Sequence, residues 1–145
     1  MPEPLKQVKG VAAPFGISNV DTDVIMPKRF LKTINREGLA MGAFADLRFC
    51  SDGALNDDFI LNQPGYQDAK ILIVGDNFGC GSSREHAVWG MYQMGIRVII
   101  GTKYGGIFFD NCRRNGLAAL SIPQSDRDVL LDLVSDPSRS ELKVD

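Results

Sequence analysis

Twelve consecutive residues, Gly75-Asp76-Asn77-Phe78-Gly79-Cys80-Gly81-Ser82-Ser83-Arg84-Glu85-His86, bring together three glycines, two hydroxyls, an arginine and the only histidine of the chain. Glycines at 75, 79 and 81 permit tight turns and a close approach of backbone N–H groups to a ligand, and a helix starting just after them would present its partly positive end. An anion is the natural guest. Arg84 adds a permanently charged fork that matches a carboxylate in two-point contact. The bland reading is that Ser82 or Ser83 caps a helix while Glu85 or His86 completes a local hydrogen-bond set. A cap alone requires neither so much glycine nor Arg84.

The nucleotide alternatives fail on spacing. Gly81 is followed by Ser-Ser, where a phosphate loop needs Lys-Ser or Lys-Thr. A dinucleotide fingerprint would place a third glycine at 84, where Arg84 stands. A thiol nucleophile at Cys80 with His86 as base is a further reading, set against an inert cysteine and a structural imidazole. Upstream, Asn19-Val20-Asp21-Thr22-Asp23 is rich in oxygen ligands but lacks the glycine and distal glutamate of a calcium loop. Helix capping or substrate contact is expected of it.

A strand ending in Val74 and a helix over residues 83 to 94 must position the glycine segment. From residue 71 onward the pattern is regular: strands over 71–74, 96–100 and 117–122 alternate with helices over 83–94, 104–115 and 126–133. Such wiring predicts parallel strands whose carboxyl ends open on one edge, with the glycine loop on that edge. Ala87, Val88, Met91 and Met94 recur at helical spacing, so the methionines read as core. Gly95 and Gly116 fall where a left-handed residue closes a helix. A first strand is expected over residues 6–13 and two short helices within 28–49. Residues 50–67 read as a long excursion with a small strand at Phe59-Ile60-Leu61, fit to border a site.

The chain has 145 residues, 44% hydrophobic and 23% charged, with a net charge of −2, which fits one ordinary α/β domain. Interspersed charges predict neither a nucleic-acid face nor binding to an anionic membrane. No apolar run has membrane-spanning length and the amino end has no leader character, so a cytoplasmic protein is expected. Cys50, Cys80 and Cys112 have roughly thirty-residue spacings and no Cys-x-x-Cys, so neither a disulfide framework nor a zinc site is indicated, and an iron–sulfur cluster on the three would lack the local clustering of its ligands.

With its neighbours, Gly79-Cys80-Gly81-Ser82-Ser83-Arg84-Glu85-His86-Ala87 resembles the Gly-Ser-Ser-Arg-Glu-His signature of the swivelling domain of the aconitase family. Asn19-Val20-Asp21-Thr22-Asp23 and Pro27-Lys28-Arg29-Phe30-Leu31 resemble the opening of the 3-isopropylmalate dehydratase small-subunit family. Phe109-Asp110-Asn111-Cys112 and Asn115-Gly116-Leu117 fit the same family, in the same order.

The resemblance implies a single β/β/α swivelling domain with a mainly parallel sheet flanked by helices. Members continue past residue 145, so a truncated carboxyl end is expected, in keeping with the strand-like residues 141–145. It implies a hydro-lyase half: the [4Fe-4S] cluster sits on a separate large subunit, and this chain binds no cofactor or metal. The substrate would be a small hydroxy-dicarboxylate, 2-isopropylmalate, isomerised to 3-isopropylmalate by loss and return of water in leucine biosynthesis. Ser82 would, as alkoxide, take the proton α to a carboxylate. Ser83 and Arg84 would hold carboxylate oxygens, and Asp23 would be a supporting carboxylate. Lys28, Arg29, Leu31, Lys32 and Thr33 would face the variable part of the substrate, or else form a solvated helix face. Homoaconitate-, citraconate- or methylcitrate-type substrates, and a non-catalytic anion-binding module, stay open at this point.

Overall fold

A computed structural model describes residues 8–27, 42–50, 52–81 and 85–144. Five strands form one sheet in the order β4-β3-β2-β1-β5: β1 Val8–Phe15, β2 Ile71–Val74, β3 Val98–Gly101, β4 Ala118–Ser121 and β5 Glu141–Val144. β1 to β4 run parallel, and β5 returns antiparallel beside β1. The helices are α1 Thr22–Ile25, α2 Ala45–Arg48, α3 His86–Met94, α4 Gly106–Arg114 and α5 Gln124–Val134. The expected mainly parallel α/β architecture is what the chain forms.

Strand periodicity divides the core between the two faces of the sheet. Ala13, Phe15, Leu72, Val74 and Ile99 face one way, into a cluster with Ala87, Val88 and Met91 of α3 and Phe108 and Cys112 of α4. Val8, Ala12, Ile71, Ile73, Val98 and Ile100 face the other way, where Val134, Leu130 and Leu131 of α5 cover them. β2 and β3 are buried at every position, which is why each reads as an unbroken apolar run. Met91 is fully buried and Met94 packs against the same cluster, as expected of core methionines.

Element ends differ from the sequence expectations for identifiable reasons. Ile96 and Leu117 are buried, but their N–H groups return to Met91 and Cys112 carbonyls, closing the preceding helices and delaying β3 and β4. Gly95 and Gly116 have φ of 106° and 78°, as anticipated for helix closure. β1 runs on through Pro14, which is tolerated because β5 pairs only with Val8 to Val11, so no partner strand needs the missing N–H.

The strand expected at Phe59-Ile60-Leu61 is instead a 3₁₀ turn, Ile60–Asn62. Phe59 is drawn into an aromatic cluster, 5.9 Å from the ring of Phe15 and 5.8 Å from that of Phe44. Asn62 Nδ2 holds the turn by donating to the carbonyls of Arg48 and Asn56. Of the two short helices expected within 28–49, α2 is seen in part of the later stretch, and residues 28–41 lie outside the described residues. The strand-like carboxyl end is β5.

Candidate functional site

The glycine segment leaves the carboxyl end of β2 and is fastened on both sides. On one side Asn19 N–H donates to the Asp76 carbonyl (2.8 Å), Gly79 N–H to the Val20 carbonyl (2.7 Å), and Thr22 N–H to the Cys80 carbonyl (2.9 Å). On the other side Phe78 N–H donates to Lys103 and Gly105 N–H to Phe78. The segment therefore runs as an irregular strand between the turn after β1 and the turn after β3, on the edge where parallel strands end. Asp21 pairs with Cys80 and Phe78 with Tyr104 as isolated parallel bridges.

Two of the glycines serve this packing. A Cβ on Gly75 would stand 2.4 Å from the Ile17 carbonyl oxygen, and one on Gly79 would stand 2.3 Å from the ring of Phe108. Gly79 also has φ of 78°, which L side chains rarely adopt. The expectation that glycines here free amides for a ligand does not hold at Gly79, whose N–H is committed to Val20. Asn19 and Asn77, both left-handed (φ 60° and 56°), face one another with Asn77 Nδ2 donating to Asn19 Oδ1 at 3.2 Å.

Asp21 caps α1: its Oδ1 accepts from Val24 N–H at 3.0 Å. The oxygen-rich turn thus does the capping expected of it, and it does so against Cys80 and Gly81. Asp23 stands in the first turn of α1, two residues beyond that contact. Ser82, Ser83 and Arg84 lie outside the described residues, as do Lys28, Arg29, Leu31, Lys32 and Thr33. The chain positions flanking both groups are described: Pro27 and Gly81 before them, Gly42 and Glu85 after.

On the far side of the serines, Glu85 reaches across to α4. Its Oε1 accepts from Asn115 Nδ2 at 3.0 Å and pairs with Arg114 at 3.8 Å. Asn115 Oδ1 accepts in turn from Trp89 Nε1 at 3.2 Å. This network ties the start of α3 to the end of α4. The His86 ring packs tilted against Trp89, ring centroids 4.7 Å apart, and its buried Nε2 has no hydrogen-bond partner among the described residues. The structural hydrogen bond anticipated for this imidazole is not seen at that atom.

Sequence reasoning gave no role to Asp76, Thr102 or Arg127. Asp76 Oδ1 accepts from the Thr102 hydroxyl and from Arg127 Nη1 (3.1 Å), and Arg127 Nη1 also reaches the Val74 carbonyl at 3.3 Å. The Thr102 hydroxyl, followed by the Arg127 guanidinium, holds the Asp76 carboxyl below the usual carboxylate range. The readable signal was a cation on an apolar stripe: Arg127, Leu130, Leu131 and Val134 recur at helical spacing.

Two cavities open on the same edge. One of about 320 Å³ is lined by Phe15, Ile17, Asn56, Phe59 and Ile60, so the 50–67 excursion does border the edge. The other, about 480 Å³, is lined by Thr102, Lys103, Tyr104, Phe109 and Ser121. The cysteines occupy unlike settings, Cys50 exposed, Cys80 half-buried and Cys112 buried, with burial pushing the Cys112 thiol pKa up. Among the described residues no three of His, Cys, Asp and Glu converge as a metal site. No described helix is long and apolar enough to cross a membrane.

The aconitase C-terminal domain family matches residues 2–125 of the chain. A 3-isopropylmalate dehydratase small subunit from Brucella anthropi is 52% identical over 139 residues, covering 96% of this chain and 69% of that protein. The chain belongs to the 3-isopropylmalate dehydratase small-subunit family. A relative of the same name from Methylorubrum populi is 50% identical over 143 residues, covering 99% of this chain and 71% of its own length. The crystal structure of a 3-isopropylmalate dehydratase from Methanocaldococcus jannaschii superposes with a TM-score of 0.64 at 31% identity. That match covers 83% of this chain and 65% of the solved one, so the chain spans a little under two thirds of that structure. Along the chain, the fastened edge leads straight into Ser82-Ser83-Arg84.

Proposed function

We propose that the chain is a single swivelling domain that forms half of the active site of a hydro-lyase, isomerising 2-isopropylmalate to 3-isopropylmalate with a large-subunit partner. The observation that carries this reading is the junction of Asp21 and Thr22 with Cys80, which brings two motifs of the family, nearly sixty residues apart in sequence, to one edge.

Membership of the family supports placing the iron–sulfur group on the large-subunit partner. When bound there, it supplies an open iron as Lewis acid for the substrate hydroxyl and carboxylate. The residues of this chain handle the proton. Ser82 takes it from the carbon α to a carboxylate, and Ser83 and Arg84 bind carboxylate oxygens. A serine hydroxyl ionises far above neutrality, so fixed donors and the Arg84 charge must stabilise its anion. Fastening the preceding backbone at Asp76, Gly79 and Cys80 supports that preorganisation.

Asp23, beside the loop contact, acts as a supporting carboxylate. The 28–33 segment, which follows α1 in the chain, faces the variable group of the substrate and sets specificity. A cytoplasmic setting is proposed with the reaction, and a place in leucine biosynthesis follows from it.

Mixing the protein that carries this chain with a cluster-loaded large subunit tests the reading. Turnover of 2-isopropylmalate is expected only in the mixture. Activity of the chain alone, or an inert mixture, overturns it.

A further inference from the structure

The guanidinium of Arg127 spans the point where β2 becomes the glycine segment. Arg127 is 6% exposed, on the side of α5 that covers the sheet. Its Nη1 lies 3.3 Å from the carbonyl of Val74, the last residue of β2, and 3.1 Å from Asp76 Oδ1. Its Nε donates to Asp128 Oδ1 at 2.8 Å. Gly75, bracketed between the two Nη1 acceptors, is also pressed against the Ile17 carbonyl. The same Asp76 oxygen accepts from Thr102 beyond β3, and the Asp76 carbonyl accepts from Asn19 beyond β1. A buried cation must find such partners, but nothing in sheet packing requires one of them to be Asp76, the second residue of this segment.

We propose that Arg127 is a positioning residue for the catalytic segment: one guanidinium gathers the end of β2 and Asp76, so that α5 sets the course of the backbone leading to Ser82. The aconitase C-terminal domain match ends at residue 125, while the match to small-subunit relatives runs over 96–99% of the chain and includes Arg127. The link to catalysis rests on the hydro-lyase reading. The link to the backbone of the segment does not.

The test pairs hydrogen exchange on the protein with kinetics of the reconstituted complex, using Arg127→Met, Arg127→Lys, Asp76→Asn and the Arg127→Met/Asp76→Asn double variant. Exchange at the Phe78 and Gly79 amides should rise about tenfold or more in Arg127→Met and Asp76→Asn, with smaller changes in β2 and β3. The double variant should show clearly less than the sum of the single effects, because both singles remove the shared Arg127–Asp76 contact. Arg127→Lys should fall between, since a single ammonium lacks the fork. In the complex, kcat should drop about ten- to hundredfold with KM little changed, the scale of a misplaced reacting group.

A uniform rise of exchange across the sheet, an unchanged segment, or additive single effects would overturn the proposal. If Arg127→Met does not fold, Asp76→Asn and Thr102→Val carry the exchange test, since Asp76 is half-exposed. Should the wild-type complex be inert while exchange responds as expected, the activity reading fails and the tether stands.

Discussion

The amide of Thr22 donates to the carbonyl of Cys80 across 2.9 Å, and this bond joins the two segments whose residue types point to chemistry. Thr22 opens the short helix α1, and Cys80 stands two residues before Ser82. Asp21 makes the junction possible from the other side, as the cap of α1 and the bridge partner of Cys80.

Replacing Asp21 therefore has a local cost and a remote effect. Asp21→Ala should destabilise the protein by about 1 kcal/mol, the usual value of a lost cap, while Asp21→Ser should retain most of it. Urea midpoints measure the loss. Exchange at the amides of residues 78–81 should rise in the alanine variant.

Gly79 tolerates no side chain. A Cβ there would meet the Phe108 ring at 2.3 Å, in a backbone conformation with φ of 78°. Gly79→Ala should cost about 3 kcal/mol, summing the left-handed penalty and overpacking. Phe108 stacks on Phe78 at 5.6 Å, so the ring has little room to retreat. A denaturation curve for Gly79→Ala matching wild type would refute this packing.

Folding lowers the pKa of Asp76, chiefly through the Thr102 hydroxyl and then Arg127, with Lys103 adding a favourable charge. Its contribution is therefore complete above the ordinary carboxylate pKa of about 4 and is lost as pH falls through the lower native value. Asp76→Asn should flatten part of the acid limb of the stability–pH curve. A slope should persist in the variant, because the Asp136 carboxyl is also held low, first by Ser138.

Ser82→Ala should lower kcat about 10³-fold in the reconstituted enzyme, the usual scale for loss of a proton-transfer group, without weakening subunit association. Arg84→Lys should mainly raise KM, roughly ten- to hundredfold, because the two-point carboxylate contact is lost. Steady-state kinetics separate the two effects. Unchanged turnover in the serine variant would remove Ser82 as the base.

Thiol chemistry should be graded by burial. At mildly alkaline pH Cys50, exposed, should react first with an alkylating reagent, and Cys112, buried with a raised pKa, only after denaturation. Mass spectrometry of labelled peptides gives the order. Cys80→Ser should leave turnover in place, against the thiol-nucleophile alternative.

Local chemistry made much of this protein legible in its sequence. Unbroken apolar runs such as Ile71-Leu72-Ile73-Val74 mark strands buried on both faces, and Ala87, Val88, Met91 and Met94 mark a helix lying on a sheet. Gly95 and Gly116 mark helix ends. Phe59-Ile60-Leu61 was less legible, since a short apolar run becomes a strand only where another strand is free to pair with it. Here the aromatic cluster of Phe15, Phe44 and Phe59 fixes the turn instead.

For the site, the sequence by itself determined the residue types proposed to react, the serine pair and the arginine, and the glycines that lead to them, with the family they resemble. Tertiary structure alone decided which distant groups hold that segment. Thr22, the Thr102-Lys103 pair and Arg127 come from three places far apart along the chain and meet it through backbone carbonyls and one carboxylate oxygen. Main-chain hydrogen bonds leave no residue-type signature, and a buried arginine on an apolar helix face does not say which carboxylate it seeks. Those partners follow only from the parallel sheet, which ends its strands on one edge and brings their loops within 3 Å of one another.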